Sequence, residues 1–349
     1  MIGSHVTRST SSSMRAEKKG PPESRALYLN AEEVRRCLPM ADAISAMKRA
    51  FAQLARGEAA LPPRMVIPLP EDRGDYLLMP ALLDNGAILG AKQLTLLPGN
   101  PKAGRPLIHA LMTLFDGAAG EPLAIMDGGA LTAVRTGAVS GAATDFLARP
   151  DAATAAILGA GRQGRTQLEA ICCVRPIKRA FVFDVVPEAA QAFAAEMSRK
   201  LGIEAQAVKS ASEAVSRADI VCAATTSAAP VFSDADVRPG THLNAVGVYH
   251  PDRHETPPET VARAKVVVDQ LEAARQEAGD LVIPIKQGLF AWNRVHAELG
   301  ELAVGRKPGR ETAEEITFFK SVGLAIQDVA AAARALENAR KHRLGAELG

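Results

Sequence analysis

Cysteine is scarce in this chain of 349 residues: Cys37, Cys172, Cys173 and Cys222 are all there are, with no C-x-x-C spacing and no histidine-rich neighbourhood. Neither a disulfide framework nor a zinc site is indicated, so the four are expected to be reduced core residues of a cytoplasmic protein without a metal. Charge of one sign is also lacking. The 41 Lys and Arg stand against 39 Asp and Glu, a formal net charge of +2. Such a balance gives no strong field for nucleic acid or an anionic membrane. No apolar run approaches the roughly 18 residues that span a bilayer. There is no internal repeat, heptad seam or long polar tract. These absences leave a soluble protein with a small-molecule partner, and its length and 47% hydrophobic content suffice for two domains with separate cores.

What is present centres on Ala155-Ala156-Ile157-Leu158-Gly159-Ala160-Gly161-Arg162-Gln163-Gly164, where an apolar run meets a glycine turn and then a helical pattern. The reading is strand, phosphate loop, helix start. Gly159 lets the chain turn off the strand, Gly161 lets backbone approach a pyrophosphate, and Gly164 lets the helix pack close to the sheet. A helix N-terminus offers free N–H groups to the phosphates. A lone glycine hexapeptide is weak, but the context supports it. Thr166 to Cys173 continues as a helix, and Phe181-Val182-Phe183 forms a second apolar run ending in Asp184, 184 − 159 = 25 positions after the first glycine. That is near the spacing of about 20 expected for the acid that binds the ribose hydroxyls of a dinucleotide. A carboxylate there repels a 2′-phosphate, and Val185-Val186 offer no arginine to receive one, so NAD(H) is expected over NADP(H).

Residues 1 to about 25 have no apolar face to bury and are expected to be a disordered tail. Leu29 to Val34 reads as a capped helix start, and Met40 to Leu54 as a helix ended by Gly57. Short β patterns follow at Arg64 to Leu69, Tyr76 to Met79, Ala87 to Leu97, Ile108 to Asp116 and Leu123 to Met126. Turn signals separate them and argue for a mostly antiparallel sheet. Ala130 to Leu147 reads as a long helix before a domain boundary at Pro150. Beyond the glycine loop, strands and helices alternate through Val266-Val267-Val268-Asp269, which implies a parallel sheet. Ligands in such sheets lie at the carboxyl ends of strands, so Thr225-Thr226 and Val246-Gly247 are expected to line the cofactor crevice. A final helix is predicted over Ser321 to Lys341.

From about Leu27 to Leu336 the chain resembles the ornithine cyclodeaminase and mu-crystallin family. The resemblance rests on the order and spacing of Pro63-Arg64, Met79-Pro80, Lys92, Met126-Asp127-Gly128, Arg135-Thr136, Gly159-Ala160-Gly161-Arg162-Gln163, Asn244-Ala245-Val246-Gly247, Pro251-Asp252 with Glu255, Glu298-Leu299-Gly300 and Phe319-Lys320-Ser321-Val322-Gly323. It implies an α/β fold: a Rossmann-type parallel sheet domain over 151–315, plus a β-rich substrate-binding and dimerisation domain over 26–150 that is completed by 316–345 and its C-terminal helix. It also implies a homodimer. The matching positions give Arg64, Lys92, Arg135 and Val322 to the substrate. Arg135, Thr136, Gly159, Gly161, Arg162, Gln163, Asp184, Thr225, Val246, Gly247, Arg253 and Ser321 fall to the cofactor. Lys92 and Tyr249 are the candidate catalytic residues. Elementary chemistry agrees with the arginines, because a guanidinium offers a planar fork for the carboxylate of an amino or imino acid. Arg135 is expected about one turn inside its helix, whose N-terminus favours an anion.

Tyr249 departs from the pattern of the cyclodeaminases, which carry an aspartate there. A phenol with a reference pKa of about 10 is a poor base near neutral pH. The departure favours an NAD(H)-dependent reductase of a cyclic ketimine carboxylate, such as pyrroline- or piperideine-2-carboxylate, or of an open-chain imino acid. The alternatives are an ornithine cyclodeaminase, which recycles NAD within one turnover, and a non-catalytic crystallin-like binding protein.

Overall fold

A computed structural model describes residues 25–348, so of the tail expected over residues 1–25 all but Arg25 lies outside the described residues. Strand β1 (Ala26–Leu29) leads into α1 (Ala31–Cys37), where Asn30 accepts from the N–H groups of Glu32 and Glu33 and Glu33 returns a bond to the Asn30 N–H. Helix α2 (Met40–Arg56) buries Ala43, Ile44, Met47 and Phe51 along one face. It stops at Gly57, whose left-handed φ of 76° lets its N–H cap the Gln53 and Leu54 carbonyls. Strands β2 (Met65–Pro68), β3 (Asp75–Leu83), β4 (Ile88–Leu96), β5 (Ile108–Asp116) and β6 (Pro122–Asp127) then pair antiparallel in sequence order, and β1 joins β6 in parallel. The pleat sends Met79, Ala81, Met112 and Leu114 into the core, while Met65, Ile67, Leu111 and Phe115 on the opposite face stay exposed.

Asp127 accepts from the Ala130 N–H and so caps α3 (Gly128–Leu147), a helix buried on nearly every side. The second half of the chain runs β7 (Thr154–Leu158), α4 (Arg162–Val174), β8 (Arg179–Phe183), α5 (Pro187–Leu201), β9 (Glu204–Ala207), α6 (Ala211–Ser216), β10 (Ile220–Ala223), β11 (His242–Ala245), α7 (Pro258–Arg263), β12 (Lys265–Val268), α8 (Leu271–Glu277), α9 (Gly279–Lys286), β13 (Ala297–Glu298), α10 (Leu299–Ala303), β14 (Thr317–Lys320), α11 (Ala325–His342) and β15 (Ala346–Leu348). Eight of its nine strands form one parallel sheet in the order β13-β12-β14-β11-β10-β7-β8-β9, and β15 pairs antiparallel with β1 in the first sheet. The winding reverses beside β7, which opens a crevice at the carboxyl ends of the strands. Helix α3 packs between α2 and α4, and α11 crosses the inner face of the antiparallel sheet. One core forms under that sheet and two more flank the parallel one.

Three sequence expectations are corrected. Residues 317–320 are not part of the return to the first domain: they form β14 in the middle of the parallel sheet, between β12 and β11, so the return begins at Ser321 and not at 316. Helix α11 begins at Ala325 and not at Ser321, because Asp269 takes the N–H groups of Val322 and Gly323 and Gly323 adopts φ 83°. Strands β1, β13 and β15 lie outside the sequence reading: β1 runs straight into the capped helix start at Leu29–Asn30, and β13 and β15 have only two and three residues.

Candidate active site

The glycine loop leaves β7 as its spacing predicts. Gly159 has φ 98°, and a Cβ there would fall 2.6 Å from the Ala224 carbonyl oxygen. A Cβ on Gly164 would fall 2.2 Å from the Gly159 oxygen, so only glycine lets α4 sit this close to the strand. In front of Gly161 the space is open, and no side chain caps the first N–H groups of α4. Those groups are therefore free for a phosphate. Arg162 is exposed, Gln163 half-buried in the first turn, and the Arg162 guanidinium lies near Gly129 at the start of α3. A cleft of about 480 Å³ there is lined by Arg162, Gly129, Asp127, His109 and Gln93. Asp184 closes β8 and accepts from the Ala160 N–H at 2.8 Å and the Val186 N–H at 2.9 Å, which sets its carboxylate against the loop. These residues fit a dinucleotide.

Further along the carboxyl edge, Thr225 and Gly247 follow β10 and β11, and both are held by Glu255. One Glu255 oxygen accepts from the Thr225 N–H at 2.8 Å and hydroxyl at 3.0 Å; the other accepts from the Gly247 N–H at 2.7 Å. Glu255 is wholly buried. Burial and the nearby Asp280 charge push its carboxyl up, while Lys320 opposes them. Asp280 binds the N–H groups of Glu255 and Thr256, and the buried Lys320 ammonium spans Asp280 at 2.7 Å and the Val248 carbonyl at 2.6 Å. Thus β10, β11 and β14 are tied together directly beneath the loop that carries Tyr249. Val246 N–H donates to the Ala223 carbonyl, and Arg253 stands exposed beyond Tyr249.

The structure brings Arg64, Lys92 and Arg135 together although 71 positions (135 − 64) separate the first from the last. Lys92 points inward from β4, its ammonium 2.8 Å from Asp328. Arg135 lies two turns inside α3, one turn deeper than expected because the helix starts at Gly128. Its guanidinium bonds Asp328 at 3.0 Å and the Gln327 side chain at 2.6 Å. Arg64 donates to the Gly323 carbonyl at 2.7 Å and pairs with Glu277 at 3.0 Å. Gly323 is pressed between the two arginines: a Cβ there would fall 2.8 Å from the Arg135 guanidinium. A cavity of about 230 Å³ opens beside Arg64, Pro63, Met79, Glu277 and Gly323. Burial pushes Lys92 down to about 8, against the pull of Asp328, while Arg135 and Lys92 hold Asp328 below the usual carboxylate range in spite of its burial. Three cations face Glu277 and Asp328 at ion-pair distance, while the buried Asp269 carboxylate behind Gly323 is held by neutral donors.

Tyr249 is half-buried, stacked at 4.6 Å on His250, and close enough to Arg64 and Glu277 to feel both charges. Burial raises its phenol above 10 and raises Glu277 as well. Thr136 gives its carbonyl to the Gln167 side chain, and Ser321 gives its hydroxyl to Asp269 at 2.8 Å. The Val322 side chain packs into the core of the parallel-sheet domain, so what it presents to the cleft is chiefly main chain. Sequence reasoning missed Asp269, Glu277 and Asp328, and knew Glu255 only as part of a motif. Asp328 falls in the first turn of α11 only because that helix starts at Ala325; with the predicted start at Ser321 it is an ordinary mid-helix acid and gives no signal.

The family model for the ornithine cyclodeaminase/mu-crystallin family matches residues 25–343. The chain belongs to that family. It is 41% identical over 320 residues to the Delta(1)-pyrroline-2-carboxylate reductase of Bacillus cereus, across 91% of this chain and 98% of that protein. Among solved structures it is similar to Thermococcus litoralis Delta(1)-pyrroline-2-carboxylate reductase in complex with NADH and L-proline, with TM-score 0.88 and 44% identity over 92% of this chain and 100% of that one. An archaeal alanine dehydrogenase dimer with bound NAD gives TM-score 0.86 and 38% identity over 93% and 99%. Among the described residues of this family member, no helix is long and apolar enough to cross a membrane.

Proposed function

We propose that this family member is an NAD(H)-dependent reductase of a small cyclic imino acid, with pyrroline-2-carboxylate or its six-membered homologue as substrate. The observation that carries the reading is the placement of Arg64 and Arg135 on either side of Gly323, with Lys92 behind them, at the carboxyl edge of a dinucleotide-type sheet. The relatives named as pyrroline-2-carboxylate reductases support it. The arginines take the substrate carboxylate and Lys92 adds charge, so the planar ring is held with its C=N carbon turned to the cofactor crevice. A nicotinamide cofactor held by the Gly159–Gln163 loop and Asp184 would supply the hydride for that carbon. The nitrogen takes one proton in the same turnover, and the Tyr249 phenol, kept protonated by burial, and the Lys92 ammonium are the candidate donors. Those donors serve a ring that enters as the neutral imine; one that enters as the iminium already carries that proton, and neither route calls for a base. Asp184 and the absence of a cation at Val185-Val186 favour NADH over NADPH.

The exposed apolar face of Met65, Ile67, Leu111 and Phe115 is assigned to a second copy of the chain, in line with the dimeric alanine dehydrogenase. The four cysteines are free, which suits the reducing cytoplasm, but only Cys37 and Cys222 are core residues as expected; Cys172 is half-buried and Cys173 exposed. The experiment is to follow NADH absorbance with pyrroline-2-carboxylate, piperideine-2-carboxylate and pyruvate plus ammonia, alongside the mass of the protein in solution. Stoichiometric NADH loss with a cyclic imine supports the reading; inertness toward all three overturns it.

A further inference from the structure

We propose that Asp269 is a positioning residue for the carboxylate clamp, fixing the short strap Ser321–Gly323 on which Arg64 and Arg135 are set. The inference rests on the reading of those arginines given above, and goes beyond it by naming what holds them in register with the cofactor sheet.

Asp269 stands at the end of β12 with its side chain buried. One oxygen accepts from the Ser321 hydroxyl at 2.8 Å, the Val322 N–H at 2.8 Å and the Gly323 N–H at 3.0 Å; the other accepts from the Gln270 N–H at 2.9 Å. Among the described residues it forms no ion pair within 4.0 Å. A buried carboxylate satisfied by neutral donors alone is costly to keep, and burial does push its carboxyl up. No amide could replace it: an NH₂ group turned toward the strap would meet three donors, and an amide oxygen turned there would carry less charge. The charge is what gathers the strap.

The strap is also the crossing between domains. It leaves the parallel sheet at Lys320 and reaches α11 at Ala325, and the first turn of α11 supplies the Gln327 and Asp328 that hold Arg135. Within the strap, Gly323 touches both arginines. Arg64 has a second anchor, Glu277, which ends α8, and α8 begins right after Gln270, whose N–H Asp269 also holds. Both anchors of Arg64 therefore lead back to one carboxylate. Since hydride transfer demands close alignment of the imine carbon with the nicotinamide, a shift of about 1 Å in this strap is expected to cost as much as 10²-fold.

The test compares full-length wild type with Asp269→Asn, measuring KM and kcat for pyrroline-2-carboxylate, NADH affinity by fluorescence, and folding by circular dichroism. Asp269→Asn is expected to raise the imino-acid KM about tenfold or more while NADH affinity moves less than about threefold. An unchanged KM, or a loss of both affinities by one factor, overturns the proposal. Arg135→Lys is run beside it. If that variant binds the imino acid normally, the clamp reading itself has failed and the proposal falls with it; if it is impaired and Asp269→Asn is not, Asp269 alone is refuted. Should Asp269→Asn fail to fold, Gly323→Ala, which pushes a methyl toward Arg135, carries the test: a raised imino-acid KM with intact NADH binding supports the strap, and an unchanged KM overturns it.

Discussion

The ammonium of Lys92 lies 2.8 Å from the carboxylate of Asp328, and both side chains are almost wholly withdrawn from water. Asp328 serves Arg135 with its other oxygen, so one carboxylate steadies two cations that would otherwise repel each other. A buried lysine without such a partner would give up its proton well below neutral pH. With Asp328 in place the burial is only partly offset, and Lys92 titrates at about 8.

The first prediction concerns pH. Below 8 Lys92 adds its positive charge to the clamp, and above 8 that charge is lost. Affinity for a carboxylate ligand should fall as pH rises through 8, by about tenfold per unit once Lys92 is neutral. Folding stability should move the other way. The folded pKa lies below the reference 10.5, so between 8 and 10.5 the unfolded chain binds the extra proton, and this group's contribution to stability rises with pH. Titration of pyrrole-2-carboxylate binding from pH 6.5 to 9.5 checks the first part, and a flat profile would refute it.

Asp328→Asn removes the charge that pairs Lys92 and Arg135 and strands two buried cations. The expected loss is about 3–5 kcal/mol of stability, the usual cost of breaking a buried pair from one side. Denaturant unfolding measures it. Combining it with Lys92→Met should cost less than the sum of the two, and strict additivity would show that the pair is not coupled.

Cofactor choice is the third prediction. NADPH should bind about tenfold or more weakly than NADH, because a 2′-phosphate would meet the Asp184 carboxylate. Asp184→Ser should narrow that ratio even though it also frees the Ala160 N–H. Tighter binding of NADPH by wild type contradicts the assignment.

The fourth sets reductase against lyase. Wild type should form proline and ammonia from ornithine at least about 10²-fold more slowly than it reduces the cyclic imine, for want of a carboxylate at position 249. Tyr249→Asp should raise ornithine turnover and lower imine reduction. Efficient proline formation from ornithine by wild type, with no NADH consumed, would make the lyase the correct reading.

The phosphate loop could be read from sequence because its requirements are local: a strand, three glycines and a helix follow one another within a few residues. Arg64, Lys92 and Arg135 were reachable only through resemblance to a family, since nothing in their neighbours distinguishes them from solvated charges. Asp269, Glu277 and Asp328 were not legible, because each looks like an ordinary strand-end or helix acid until its partners arrive from distant segments. The same holds for Lys320, whose partner Asp280 stands 40 positions away. That lysine also disguised β14: a four-residue run that ends in a charge and directly precedes the predicted helix does not read as a buried central strand, and it falls with the return to the first domain. Only the sheet order shows that the lysine is buried.

The position of β14 bears on how the protein is made. Strands β11 and β12 do not touch each other; each pairs with β14, so β12 and β13 have no sheet to join until Lys320 has been synthesised. A growing chain that has passed residue 300 therefore holds an open strand edge on β11, while the inner face of the antiparallel sheet still lacks α11. Both domains come to completion within the same final stretch of translation. A chain that ends before that stretch lacks both β14 and α11, and leaves the edge of β11 and the inner face of the antiparallel sheet uncovered together.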